Sequence, residues 1–304
     1  MKIYRFLRNN LLFTVALSLL IILLLLAFFG KYLPFVDADL AKENYRMENG
    51  IIKIPPYEPS KKYWFGTDDQ GRDLFSVIIL SAKETLFIVL LITILRYLMA
   101  IPLSFLAHKK IFGMNFIVKS LNTFFSYVPT VIIVIMFALL PPILFTSTRP
   151  IWLIAIIAFV EVGRAAATLK DDFDALSVRD YMESGVAVGA GPWKMLRSYY
   201  LPFVYEKLAV YMISDLGKVM FLLGQLGFIG IFISQALVQV DMGMFEIHNI
   251  SLTWPMLLEN AFLDIRTSIW IAFWPAFAMA ITIFIFNMLA QGLQQVTQRK
   301  DGFI

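Results

Sequence analysis

The sequence predicts an all-α polytopic membrane protein with six transmembrane helices. Three observations carry that expectation. Of the 304 residues, 59% are hydrophobic and only 16% are charged, against about 25% charged in a soluble domain. The apolar residues fall in runs long enough to cross a hydrocarbon core of about 30 Å, which takes about 20 helical residues. Lys and Arg concentrate in alternate loops, as they do on the cytoplasmic side of membrane proteins. The net charge of +4 is met by those loops and does not call for a nucleic-acid partner. With no cysteine there is no disulfide framework and no thiolate metal site. The two histidines, His108 and His248, form no H-E-x-x-H pair, so zinc-hydrolase chemistry has no support.

The spans follow in order. Leu11–Phe29 carries no charge and is preceded by Lys2, Arg5 and Arg8. Its apolar run is longer than that of a cleaved leader, and no A-x-A site follows, so it reads as a first span. Leu80–Leu106 is the second and holds Arg96 and Pro102. Phe124–Phe145 is the third, with Pro129 inside it; Ile151–Leu169 is the fourth, with Glu161 and Arg164. Leu208–Phe232 is the fifth, with Asp215 and Lys218, and Ser268–Leu289 is the sixth.

Six spans place both termini on one side. The loop His108–Lys119 holds three Lys, the segment Arg164–Lys207 holds six Lys/Arg, and the opposite short loops hold Arg149 and Arg266 alone. That asymmetry puts both termini in the cytoplasm, and the family resemblance described below implies a bacterial cell membrane. The long segment Lys31–Asp73 then lies outside, with seven Lys/Arg balanced by eight Asp/Glu. Its Pro55, Pro56 and Pro59 favour extended chain, and the family resemblance described below implies that this segment is a shelf facing a binding protein. The divisions expected are an N-terminal helix and outer segment over 1–79, a transmembrane domain over 80–298, and a cytoplasmic tail over 299–304.

The segment RDYMESGVAVGAGPWKMLRSYYLPF, Arg179–Phe203, is polar in an otherwise oily chain. Leu176, Val178, Tyr181, Met182 and Val186 fall near a 3.6 period, so Leu176–Val188 is predicted helical. Gly189-Ala190-Gly191-Pro192 ends that helix, and Pro192 suits the first turn of the next. Leu201-Pro202 marks a second expected break. Three Asp within Thr67–Asp73 lack the spacing of a calcium loop, so a turn capped by Asp side chains is expected there.

These residues resemble a family. Glu183, Gly189 six residues on, and Leu201-Pro202 twelve and thirteen beyond that match the E-A-A-x3-G-x9-I-x-L-P loop of binding-protein-dependent ABC importer permeases. Ser184 and Gly185 stand for the two alanines and Tyr199 for the isoleucine. Gly66-Thr67-Asp68-Asp69-Gln70-Gly71-Arg72-Asp73 resembles the G-T-D-x-x-G-R-D signature of the oligopeptide/dipeptide/nickel branch. Leu226, Phe228 and Gly230, then Ser251–Leu257, then Phe286-Asn287-Met288-Leu289 with Gly292-Leu293, resemble later motifs of the same branch. Departures exist: Leu223 stands where an acid is frequent, and Ser76-Val77 where Ser-Arg is usual.

The resemblance implies a type I importer permease fold, as the second (C-type) permease subunit. It implies a cytoplasmic coupling helix, with Glu183, Ser184, Gly185, Gly189, Ala190, Leu201 and Pro202 facing an ATPase. It also implies the partners: a second homologous permease, two ATPase subunits, an extracytoplasmic substrate-binding protein, and membrane lipid. Without a G-x-x-x-x-G-K-[ST] loop the chain is no ATPase and no enzyme, so ATP and Mg belong on the partners. Peptides are the commonest cargo of the branch, nickel or another chelated metal the minority. A secondary transporter is the alternative of another class, but it would be expected to show an internal repeat.

Ionisable residues inside spans default to functional hypotheses. Glu161 with Arg164 and Asp215 with Lys218 are each three apart, a spacing that favours internal pairing. Arg96 has no partner within its own span. Arg96, Gly224, Gly227 and Gly230 are the candidates for the translocation path or for close helix packing.

Overall fold

The computed structural model describes residues 10–48, 51–241, 244–249 and 251–301. Lys2, Arg5 and Arg8 and the last three residues of the tail lie outside them. Among the described residues four helical stretches are long and apolar enough to cross a membrane, or up to six if each of two bent pairs is one span.

The first helix, α1, is Leu11–Phe29, with the predicted ends. The second, α2, is Leu74–His108, 35 residues, and starts earlier than expected because Asp73 caps it. The Asp73 carboxylate accepts from the Ser76 backbone N–H at 2.9 Å and from its hydroxyl at 2.5 Å. That satisfies donors a helix start leaves open.

The predicted third span is not one helix. Met114–Tyr127 (α3) and Thr130–Ala138 (α4) meet at 93°. Pro129 is the cause, since the residue before a proline is pushed out of the helical region. Val128 has φ −105° and ψ 128°. A short α5, Pro141–Leu144, follows. The fourth span is also bent: Arg149–Val160 (α6) and Val162–Ser177 (α7) meet at 41° around Glu161.

Asp180–Ala187 (α8) and Pro192–Met195 (α9) lead through a π-helical turn, Leu196–Tyr200, into Leu201–Phe228 (α10). The break expected at Leu201-Pro202 does not occur. Pro192–Phe228 is one 37-residue stretch. The π-turn makes room for Pro202, whose ring would strike the carbonyl four residues back in an α-helix. Ala261–Thr267 (α11) precedes Ile269–Asp301 (α12), the sixth expected span extended as far as Asp301.

Two antiparallel hairpins complete the described residues. Arg46–Glu48 (β1) pairs with Ile51–Lys53 (β2), and Gln235–Asp241 (β3) with Met244–Asn249 (β4). The second was missed from sequence, although its apolar–polar alternation was legible. Apart from a short 3₁₀ turn at Gly30–Tyr32 and β1–β2, the segment 31–73 is irregular, as its prolines suggested.

The spans pack through glycine notches. At Gly292 of α12 a Cβ would stand 2.7 Å from the Phe13 Cα of α1. At Gly227 of α10 it would stand 2.4 Å from the Pro255 carbonyl. The Leu226–Gly230 and Ser251–Leu257 motifs therefore meet in space. Trp254 is buried beside them, its backbone N–H donating to Thr85 at 3.0 Å and its indole N–H to the Ile78 carbonyl at 2.8 Å.

The G-T-D-x-x-G-R-D loop is the Asp-capped turn expected. Asp68 accepts from the backbone N–H groups of Gln70 and Arg72 and pairs with the Arg72 guanidinium at 2.6 Å. Trp270 donates to the Thr67 carbonyl, and Phe65 stacks on Trp274 at 3.8 Å. The loop thus seals the start of α2 against the start of α12. Beside it Asp264, 3% exposed, has its carboxyl pushed up to about 6 by burial, with Asp69 adding like charge.

Two predictions follow from this packing. Gly227→Ala would force backbone apart and cost about 1–3 kcal/mol. Gly224→Ala would meet only the tip of Met279 and cost less. Thermal unfolding in detergent separates the two. For Asp264 the raised value means the folded state holds the proton more tightly than the unfolded one, so ionisation costs stability as pH rises from about 4 to about 6. Asp264→Asn should therefore melt higher than wild type at pH 7, with the gain fading below pH 6 and gone near pH 4.

Candidate functional site

The polar segment is built as a short helix held off the ends of the spans. It is not one helix from Leu176, as periodicity suggested. α7 ends at Ser177, Val178 and Arg179 form a turn, and α8 begins at Asp180. Glu183, Ser184 and Gly189 are exposed. The C-terminus of α8 closes by a Schellman arrangement: Gly189 has φ +73° and the Ala190 N–H donates to the Gly185 carbonyl at 3.1 Å. Nothing lies within 4 Å of a Cβ built on Gly189, so its glycine is needed for backbone conformation and not to avoid a clash.

The family resemblance implies that Gly185 faces an ATPase. It instead leaves room within the chain. A Cβ there would stand 2.7 Å from the Tyr199 ring and 2.9 Å from the Met195 sulfur. Met182, on the same buried side, sits in an apolar cluster with Met195, Leu196, Tyr200, Phe173 and Phe105. Tyr181 stacks on Phe203 at 4.4 Å. One face of α8 is therefore fixed to the root of α10, and the other, with Glu183 and Ser184, is free.

A polar network fixes that root in turn. His108 at the end of α2 bonds through Nδ1 to Asp174 of α7 at 2.5 Å, and through Nε2 to the Tyr200 hydroxyl at 2.9 Å. Lys170 pairs with Asp174 at 2.5 Å. Asp172 of α7 takes Lys207 at 2.6 Å and the Tyr211 hydroxyl at 2.9 Å, both from α10. The ends of α2, α7 and α10 thus hold α8 as a unit. His108 was considered only for zinc chemistry in the sequence, and its structural partners are 66 and 92 residues away.

Deeper in the bundle, Arg96 is 1% exposed and does have a partner. It reaches Asp215 of α10 at 3.2 Å and the Ile157 carbonyl of α6 at 3.2 Å. Tyr97 donates to the same Asp215 oxygen at 3.1 Å, and Lys218 reaches its other oxygen at 2.7 Å. The pairing expected between Glu161 and Arg164 is present at 2.9 Å, with the Thr130 hydroxyl donating to Glu161 at 2.5 Å. Arg149, read as a loop charge, is fully buried. It donates to the Ala138 and Phe232 carbonyls and to the Gln235 side chain, tying α4, α6 and β3 together.

Of the glycines in α10, Gly224 and Gly227 are packing notches against Met279 and Pro255. Gly230 is different. Its φ is +81° with open space around it, and it ends α10 with N–H bonds from Gly230 to Gly227 and from Ile231 to Leu226.

Comparison with known proteins agrees with this architecture. No protein-family model matches the chain. Over 298 residues it is 23% identical to the glutathione transport system permease protein of Pectobacterium atrosepticum, covering 97% of this chain and 89% of the relative. Over 302 residues it is 22% identical to the probable D,D-dipeptide transport system permease protein of Escherichia coli K12, covering 99% and 92%. The chain is therefore similar over nearly all of its residues to transport permeases and is a multi-pass membrane protein.

Removing one partner of the Arg96 group should be costly. Arg96→Gln would leave Asp215 with the Tyr97 hydroxyl and with Lys218 as its one cation, a loss of about 3–5 kcal/mol. Arg96→Gln combined with Asp215→Asn should recover part of it. Yield and melting temperature of the four proteins in one detergent give the coupling between the two sites.

Proposed function

We propose that this homologue of peptide-transport permeases is one of two membrane subunits of an ATP-driven importer, carrying short peptides across the cytoplasmic membrane. The observation that carries the reading is α8, an exposed helix fixed by its inner face to the root of α10 in a cluster shared with α2 and α7, in a chain similar over nearly its whole length to such permeases. The loop face is cytoplasmic on this reading, and the face bearing 31–73 is outside. A second permease completes the path, two ATPase subunits supply the energy, and an outer binding protein delivers cargo. The chain itself does no covalent chemistry.

The geometry suits force transmission. Glu183, Ser184 and Ala190 present a small polar surface for an ATPase cleft. Met182 and Gly185 fix the helix to Met195 and Tyr199, and the His108–Asp174–Tyr200 contacts carry displacement into α2 and α7. Leu201 is half-buried and Pro202 exposed. They belong to the continuous stretch that joins the loop to α10. When ATP closes the ATPase pair, the helix and the spans attached to it move together and open the path between the permeases to the outside.

Affinity purification from native membranes in mild detergent tests the assembly. A second six-span permease and Walker-motif ATPases should copurify, and recovery of the chain alone under several detergents would overturn the importer reading. The coupling role has its own test. Gly189→Trp points into open space, so the protein should reach the membrane, yet the backbone must leave φ +73° and ATP hydrolysis should continue while uptake falls at least about tenfold. Unchanged uptake by that variant would contradict the role of the loop.

A further inference from the structure

Between the two apolar clusters of the bundle lies a recess of about 100 Å³, enough for a few waters or the end of a small polar molecule. Arg164, Lys218, Glu161 and Asp215 line it, with the Tyr97 hydroxyl and Ser214 beside them. The Lys218 side chain is 57% exposed and that of Arg164 is 46% exposed, whereas the acids they pair with are 8% and 12% exposed. Lys218 lies ten residues from the end of α10 at Phe228, about 15 Å along the helix axis and so about half-way across a hydrocarbon core. Open cations at that depth do not face lipid; they face a polar path or another protein.

The charge count sharpens this. Arg96, Arg164 and Lys218 are three cations, and Glu161 and Asp215 are two carboxylates, so the cluster carries one positive charge in excess. Tyr211, also at the rim, gives its hydroxyl to Asp172, which is itself paired with Lys207 and adds no charge. An excess charge at membrane depth is stabilised by a counter-anion. Each exposed cation spends one donor on its resident acid and keeps others free, since guanidinium has five N–H donors and ammonium three.

We propose that Arg164 and Lys218 form a carboxylate-docking subsite on the translocation path, taking the free C-terminal carboxylate of a short peptide as it crosses. The inference rests on the peptide-importer reading and names which chemical group of the cargo this subunit holds. Glu161 and Asp215 keep the hold weak. They orient the two cations and share their charge, so the peptide carboxylate is attracted into the recess and still leaves it. A site for a moving substrate needs that balance.

The test uses the assembled transporter in proteoliposomes with its binding protein at saturation. The probes are a mixture of dipeptides and the same mixture amidated at the carboxyl end, with uptake read by mass spectrometry. Affinity of the binding protein for each mixture is measured separately, because it belongs to another chain. Wild type should import the free acids faster than the amides at equal occupancy of the binding protein. Arg164→Gln and Lys218→Gln should lower free-acid uptake about tenfold, leave amide uptake nearly unchanged, and so abolish the preference. Arg164→Lys should restore part of it. Variants that retain the wild-type preference overturn the subsite. Equal loss of both probes together with loss of the second permease from the complex also overturns it, and assigns the cations to an ion pair between permeases. Failure of wild type to import either mixture refutes the peptide-importer reading instead.

Discussion

Asp215 is the group on which the interior depends. A lone carboxylate at membrane depth is expensive, and here it receives Arg96, Tyr97 and Lys218 at once. Those bonds hold α2 against α10, and the second arm of Arg96 holds the backbone of α6. The pair separates two apolar clusters, one towards the hairpins and one towards the loop. Polar contacts are directional and apolar packing is not, so this layer fixes the rotational setting of three spans that Leu and Ile side chains alone would leave loose.

From that layer the loop-side cluster extends to α8 without interruption. Met182 and Gly185 pack on the π-turn and α9, and His108, Asp174 and Lys170 close the periphery. The π-turn keeps the helix continuous through Pro202, so the loop and the charge layer are joined by one helical stretch, Pro192–Phe228; on the proposed function, displacement of the loop travels along it. A flexible hinge at Leu201-Pro202 would have absorbed that displacement. Thus the polar segment in an apolar chain has two surfaces, an inner one that is buried and an outer one that is exposed.

How much of this was legible in the sequence depended on the range of the interactions. The first span was read to its ends because nothing but apolar run length decides it. The Asp-capped turn at Asp68 and the glycine end of α8 were also legible, since both are set within a few residues. The third span was misread because length and composition carried more weight than Pro129, which turns the chain by 93°. At Leu201-Pro202 the error ran the other way: a proline taken as a break is absorbed by a local widening of the helix. Gly185 reads as small for a partner until Tyr199 is seen beside it. The partners of Arg96 and Arg149 are 119 and 86 residues away, and no spacing rule reaches that far.

The central claim is that α8 is the contact with the energy source. Because the chain has no cysteine, a single Ser184→Cys places the only thiol on the exposed face of this helix. Cross-linking from it in native membrane vesicles, with and without ATP, is the most direct measurement. The account predicts one cross-linked product with a Walker-motif ATPase subunit, formed from the cytoplasmic side and changed in yield by ATP. Labelling of that thiol only from the outer side, or cross-links that never include an ATPase, would contradict it.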